Sequence, residues 1–443
     1  MSADGAGDPR VVVCGAGAGG LAAARALGAA GLRVLVLDKR SRPAPVAKGE
    51  VLQPGALRVL GEWGVLSPLV ERGTAPLSRI VTRTAEGEPS MVFDYLTLPP
   101  GFRSLMSSDH LTILDALGEG LPGHVEIRRG AVAEDLVTDA SGRVAGVRVR
   151  QGGRRYEERC LLVVAADGMS SRLRQAAGIT AEPRAYGHRL VAFELPGAPA
   201  RPPEVTAYDT PRGLRLVYAL PHARTRLYVQ VRPDELRGMT WADLVRWGAG
   251  LDRDAPALRP LGERVVEALD TRQIFTLRRF IASSLTVPGL VLVGEAAHAV
   301  HSLAAQGMNT AIAEAYALVG QLGRSGFDGP AAVDRALLAY EAERMRWTRH
   351  IDRMSHDAVR MVTETAWPAR TLGRRMLRRT RRSRRLSYIA THNLAGLGIH
   401  PFGAWDRLHQ VGLPDPRAGR LPRWSGERGA PAPAVTERGG GRT

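Results

Sequence analysis

The chain has 443 residues, 44% of them hydrophobic, enough to bury a large core divided over two or three lobes. No apolar run approaches the roughly 18 residues that cross a bilayer, and the start, MSADGAGDPR, lacks the basic-then-apolar pattern of a signal peptide, so the chain reads as cytoplasmic. The formal charge of +17 suggests nucleic acid until it is located: 14 arginines against Asp352, Asp357 and Glu364 lie between Arg344 and Arg385, a local net of +11, and the densest part, Arg374 to Arg385, has no interleaved aromatics and no known nucleic-acid-binding fold.

Val11 to Cys14 is a continuous apolar run, as expected of a strand buried on both faces, and it stops at a glycine-rich turn. An Ala/Leu-rich helix should follow, ending near Gly31, and Arg33 to Leu37 should form a second buried strand closing on Asp38. Gly15, Gly17 and Gly20 satisfy GxGxxG with a strand before, a helix after and an acid 18 residues beyond the last glycine. Such a turn binds a dinucleotide: Gly15 permits the turn, Gly17 lets a pyrophosphate approach the backbone, and Gly20 lets helix pack on strand. The helix N-terminus, with Ala16 and Gly19 in its loop, offers N–H groups to phosphate, and Asp38 is placed to accept from ribose, with Lys39 and Arg40 beside it. Cys14 and Cys160 are both expected inside buried strands as small hydrophobes, and no metal-ligand spacing occurs.

Ala56 to Leu66 reads as a helix, Leu111 to Leu121 as another, and Val125 to Ile127 with Arg143 to Arg150 as strands of a meander. Cys160 to Ala166 is a buried strand ending on Asp167-Gly168, with Ser171 and Arg174 at DGxxSxxR spacing. That pattern fits a functional turn and fits equally a plain strand-to-helix turn with Ser as cap and Arg on the surface. From Tyr186 to Phe275 the composition changes. Leu214 to Leu220 and Leu227 to Val231 alternate with period two and read as a hairpin with one buried face. Leu290 to Val293 is a last buried strand, followed by Gly294-Glu295-Ala-Ala-His298-Ala-Val-His301-Ser302-Leu-Ala-Ala305-Gln306-Gly307-Met308-Asn309 and a helix from Thr310 to Leu322.

The three stretches GAGAGG with Asp38, DGMSSRLR and GEAAHAVHSLAAQGMN, in that order, resemble the FAD-dependent aromatic hydroxylases, the class A flavoprotein monooxygenases; the resemblance covers residues 10 to about 345. Lys48-Gly-Glu-Val-Leu-Gln-Pro-Gly55 and His301-Ser-Leu303 look most like the squalene epoxidase and ubiquinone-biosynthesis hydroxylase branch. The resemblance implies an α/β fold: a Rossmann-like FAD-binding domain, with a parallel sheet and a meander, over 1–75, 103–180 and 276–345. A smaller α+β substrate lobe with an antiparallel sheet would cover 76–102 and 181–275, followed by C-terminal helices over 346–413 and a disordered tail over 414–443. Its cofactor would be FAD, with NADH or NADPH as co-substrate. Gly15 to Gly20 would hold the AMP half, Asp167 and Gly168 would lie near the pyrophosphate, and Gly294 and Glu295 would serve the ribityl chain. The loop Gln306, Gly307, Met308 and Asn309 would lie against the flavin ring.

The chain departs from the pattern at Glu295 (usually Asp), Ser302 (usually Pro), Ala305 (usually Gly) and Ser108 (often Arg), and Lys48 could supply the positive charge missing at Ser108. Gln53, Phe193, Tyr218 and Tyr228 are the expected substrate contacts, and His301 the expected catalytic group, with loop bracing as its alternative role. Oxygen would be delivered through a flavin C4a-hydroperoxide to an apolar aromatic, polyketide or isoprenoid molecule. The alternatives are a flavin reductase of isoprenoid double bonds, a flavin halogenase, and a non-catalytic FAD-binding regulatory module. For Arg374 to Arg385 the readings are a solvated helix docked on its own protein, a contact with anionic membrane, and a nucleic-acid patch, the last disfavoured. Oligomeric state is open.

Overall fold

In the computed structural model of the protein, which describes residues 10–426, the run Val11–Cys14 lies at the centre of a six-stranded sheet. Val34–Asp38 and then Val125–Arg129 extend the sheet on one side, and Leu162–Ala165 and then Leu290–Leu292 on the other, all parallel; Thr286–Val287 closes an edge antiparallel. Both faces of the central strand are covered, which is why it is apolar without alternation. The helices Ala18–Ala29 and Gly307–Ser325 pack side by side against this core.

The expected meander is present, but its strands are Ala131–Thr138, Val144–Gln151 and Arg154–Arg159. Val125–Arg129, expected in the meander, belongs to the parallel sheet instead. Gly130, at φ +69°, breaks the chain between the two sheets, and a half-exposed edge strand carries the same short apolar signature as a meander strand. Cys160 also departs from expectation: it lies partly exposed ahead of Leu162–Ala165, and both cysteines are free.

The second lobe is built on an eight-stranded sheet that includes Arg184–Pro196, Arg224–Val231, Gly213–Leu220, Glu204–Thr210 and Arg79–Thr84. Its hairpin turns at His222 and Ala223, both at positive φ. Contrary to the one-face expectation, both faces of this hairpin are buried. Leu190, Leu216, Tyr218 and Tyr228 face the interlobe side, while Val191, Phe193, Val217 and Leu227 face an outer layer that includes the helices Trp241–Ala249 and Gly262–Glu267.

The C-terminal helices Trp367–Arg382 and Arg384–Leu394 cover one end of the interlobe region, inserting Leu377 and Tyr388. Arg370 and Arg374 bind the buried carboxylate of Asp209, Arg381 donates to the Pro89 carbonyl, and Arg385 pairs with Asp406. Among the described residues, Arg375, Arg378, Arg379, Arg382 and Arg384 form no ion pair. Residues 414–426 differ from the disordered tail expected of their composition. Asp415 accepts from the Arg417 backbone and guanidinium, Arg417 also pairs with Asp406, and Trp424 stacks on His400 at 3.5 Å. The rest of the expected tail, 427–443, lies outside the described residues. Among those residues no helix is long and apolar enough to cross a membrane.

Candidate functional site

Three loops meet at the ends of the central parallel strands. A Cβ on Gly15, at φ +113°, would stand 2.3 Å from the Ala166 carbonyl, and one on Gly20 would stand 1.7 Å from the Gly15 carbonyl, so only glycine fits either place. A Cβ on Gly19 would reach Val293 at 3.3 Å and Gly294 at 3.7 Å; the first loop therefore touches both of the others. Asp38 takes the Ala16 N–H at 2.6 Å and the Arg40 N–H at 2.7 Å, bracing the glycine turn, while Lys39 and Arg40 are exposed beside it.

The helix Ala18–Ala29 starts at Gly17 without a side-chain cap and without an acid in its first turn, so its leading N–H groups are offered to a ligand. A Cβ at Gly17 would meet nothing within 4 Å: the space in front of those N–H groups is open. One oxygen of Asp167 accepts from the Arg172 and Leu173 N–H groups, and the other is buried with no partner. An open glycine cradle, free helix donors and an orphaned carboxylate oxygen at the neighbouring strand end fit a dinucleotide pyrophosphate with its ribose hydroxyls.

The DGxxSxxR stretch proves to do more than cap a turn. Ser171 caps the short helix Arg172–Ala176 through the Arg174 N–H, yet Arg174 is buried, not on the surface. Its guanidinium donates to the Ala296 carbonyl at 2.8 Å and the Met169 carbonyl at 3.1 Å and lies over the Phe280 ring, tying the second loop to the third. Behind the third loop the buried Glu314 accepts from the Gly294 N–H at 2.8 Å and binds His298 Nε2 at 2.7 Å. Burial pushes its carboxyl up, but His298, Arg344 and that N–H more than offset this and hold it below the usual range. Glu295 faces outward and pairs with Lys48 Nζ at 2.7 Å, which joins the third loop to the Lys48–Gly55 segment.

The same segment is tied down by the remaining loop residues. Asn309 accepts the Gln53 N–H at 2.8 Å and donates to the Val51 and Ala305 carbonyls; Met308 lies against Gly49; Gln306 donates to the Leu394 carbonyl at 2.9 Å. Gly307 opens the helix Gly307–Ser325. Ala305 is held in the left-handed conformation, φ +48° and ψ +38°, where glycine is at ease and an alanine is strained by about 1 kcal/mol.

His301, the expected catalytic group, is fully buried with both ring nitrogens engaged: Nδ1 accepts the Leu303 N–H at 3.1 Å and Nε2 lies 3.0 Å from His188 Nε2. Burial, then His188 and His356, push its pKa down to about 3, so the ring is neutral. This geometry matches the bracing role.

A cleft lies between the second-lobe sheet and the Ser302–Ala305 turn, lined by Ile80, Leu190, Val205, Leu216, Tyr218, Tyr228 and Leu303, with Glu50 and Ala305. Of the four expected contacts, Tyr218 and Tyr228 line it. Phe193 does not: it is on the opposite strand face, against Trp247, because residues 191, 193 and 195 share the outer phase of their strand. Gln53 does not either; it is buried at the start of a helix, accepting from the Tyr95 hydroxyl at 2.6 Å.

Two residues missed from the sequence form a buried pair at the cleft, Glu50 in its wall and Arg226 behind it. Glu50 is 2% exposed and takes Arg226 on both oxygens, at 2.7 and 3.0 Å, as well as the Tyr218 hydroxyl at 2.8 Å. Arg226 was detectable as a charge two residues from Tyr228, on the same strand phase, a position that requires a buried carboxylate.

Compared with known proteins, the chain matches the FAD binding domain family over residues 8–355, and it belongs to that family, with FAD as its cofactor. It is 26% identical over 369 residues to a 3-(3-hydroxy-phenyl)propionate/3-hydroxycinnamic acid hydroxylase of Comamonas testosteroni, covering 81% of this chain but only 60% of that relative. It is 27% identical to the 3-amino-4-hydroxybenzoate 2-monooxygenase PtnB3 of Streptomyces platensis, covering 79% of this chain and 87% of the relative. Among solved structures, PqsL of Pseudomonas aeruginosa, described as a candidate FAD-dependent monooxygenase, superposes with a TM-score of 0.71 at 25% identity, covering 81% of this chain and 98% of PqsL.

Proposed function

We propose that the protein is an FAD-dependent monooxygenase that uses NADH or NADPH and O2 to hydroxylate a small, largely apolar aromatic or polyketide molecule. The observation that carries this reading is the position of the cleft: its floor is the Ser302–Ala305 turn, which runs directly into the Gln306–Asn309 loop beside the dinucleotide cradle. Bound FAD supplies the two-electron chemistry that activates oxygen. The chain supplies binding, orientation and dryness.

Gly15, Gly17 and Gly20 with the helix N-terminus receive the pyrophosphate, Asp38 the ribose, and Lys48 and Glu295 flank the third loop. Isoleucine, leucine, valine and tyrosine side chains keep water from the reacting centre. His301 acts as a positioning residue, holding the Ser302–Ala304 turn through the Leu303 N–H. That the relatives include hydroxylases and monooxygenases of ring-bearing substrates supports the same reading.

Purified protein should be yellow, and NADPH or NADH oxidation in the presence of a substrate should consume O2 and place one oxygen atom from 18O2 in the product. Addition of two hydrogens without oxygen uptake would point to a reductase instead. A colourless protein that cannot be reconstituted would refute the reading.

A further inference from the structure

Resting on that reading, we infer that the cleft selects an uncharged aromatic carrying a hydroxyl or amino donor, which it anchors at Glu50 and Tyr218, and that it rejects carboxylate-bearing rings. A pocket for an anionic ring would present a cation free to pair with it. This cleft is lined by no arginine, lysine or histidine, and the one ionisable acid among its walls is Glu50.

The nearest guanidinium, Arg226, is already committed. Its Nη2 bridges Glu50 Oε1 at 2.7 Å and Glu194 Oε2 at 3.1 Å, and its Nε binds Glu50 Oε2 at 3.0 Å. The chain of charges continues through Arg224, which binds Glu194 and, on two atoms, Asp109. Three carboxylates thus share two guanidinium groups, and no positive charge is left over for a ligand. A ring carboxylate entering here would be desolvated beside Glu50 with no cation free to pair with it.

A hydroxyl or amino hydrogen fits the same place. The Tyr218 hydroxyl donates to Glu50 Oε2, and burial together with Glu50 raises its pKa well above the usual value, so it stays protonated. Glu50 Oε2 accepts two hydrogen bonds and Oε1 only one. One lone pair on Oε1 and the lone pairs of the Tyr218 oxygen are left to accept from a substrate. Around them the walls are apolar, as an uncharged ring requires.

The test uses the FAD-loaded enzyme and three probes of one ring size: 2-naphthol, naphthalene and 2-naphthoate, titrated by perturbation of the flavin absorbance and by stimulation of NADPH oxidation. 2-Naphthol should bind at least tenfold more tightly than either other probe, and in Glu50→Gln its lead over 2-naphthoate should shrink at least fivefold. Equal responses to 2-naphthol and 2-naphthoate, including none to either, or a preference for 2-naphthoate, would overturn the inference; should Glu50→Gln fail to fold, the wild-type comparison decides alone. Failure to hold FAD or to oxidise either NADH or NADPH would instead strike the monooxygenase reading, so the two failures are distinguishable.

Discussion

Lys48 Nζ lies 2.7 Å from Glu295 Oε1 although the residues are 247 positions apart, and each side chain is more than a third exposed. An ion pair so accessible adds at most about 1 kcal/mol to stability. Its value lies in fixing the distance between the third loop and the Lys48–Gly55 segment. Lys48→Met should therefore leave the melting temperature nearly unchanged while weakening FAD retention severalfold, measured by flavin release on dilution. A large loss of stability with normal FAD affinity would contradict this role.

Gly17 offers a sharper separation of fold from cofactor. Alanine at this position meets no protein atom within 4 Å and has an ordinary φ of −80°, so the apoprotein of Gly17→Ala should melt within about 1 °C of wild type. The added methyl occupies the approach to the helix donors, and FAD affinity should fall at least about tenfold. Calorimetry of the apoprotein and fluorescence titration with FAD measure the two effects independently.

Removing one side of the Glu50–Arg226 pair strands a buried charge. Arg226→Met should destabilise the protein by about 3–5 kcal/mol, and Glu50→Gln in the same chain should recover a large part of that loss. A denaturant double-mutant cycle reads the coupling directly; simple additivity of the two changes would show that the pair is not a unit.

His301 makes stability depend on pH. Its pKa is lowered from 6.5 to about 3 in the folded protein. Between those values the unfolded chain binds the proton that the folded chain refuses, so stability rises with pH across this window. It is lost as pH falls below about 6.5, at no more than about 1.4 kcal/mol per pH unit from this residue, and the loss levels off below about pH 3. His301→Asn, which retains an acceptor for the Leu303 N–H, should flatten the fall in melting temperature between pH 6 and 4. An unchanged slope would exclude His301 as its source.

Ala305 carries strain that its replacement should reveal. Ala305→Gly should leave stability unchanged or raise it by up to about 1 kcal/mol, because relief of the left-handed conformation outweighs or balances the extra freedom of glycine in the unfolded chain. Ala305→Val, branched at Cβ, should lose about 2 kcal/mol. Urea titration distinguishes the two directions.

The cofactor cradle was legible because it is made of backbone: Gly15, Gly20 and Gly294 are demanded by φ values and close approaches that leave a direct mark on residue type. The cleft was less legible because it depends on strand phase. Gly213–Leu220 and Arg224–Val231 are buried on both faces, so apolar residues alone could not say that Tyr228 faces the cleft while Phe193 faces Trp247. Glu50 and Arg226 stand 176 positions apart, and only the folded sheet brings them together. Residues 414–426 escaped for the opposite reason: specific contacts from Asp415, Arg417 and Trp424 order them, and those contacts leave no periodic trace.

The helix Arg384–Leu394 ends at the cofactor loop: the Leu394 carbonyl receives Gln306, and the Ala395 carbonyl receives the Gly55 N–H at 2.9 Å. On the ribosome the glycine turn around Gly15 emerges more than 350 residues ahead of these supports. A nascent chain can close its parallel sheet well before it can secure the Gln306–Asn309 loop. Cofactor capture therefore waits for the synthesis of this helix, and a stop codon placed before Arg384 should yield a folded but poorly flavinated product.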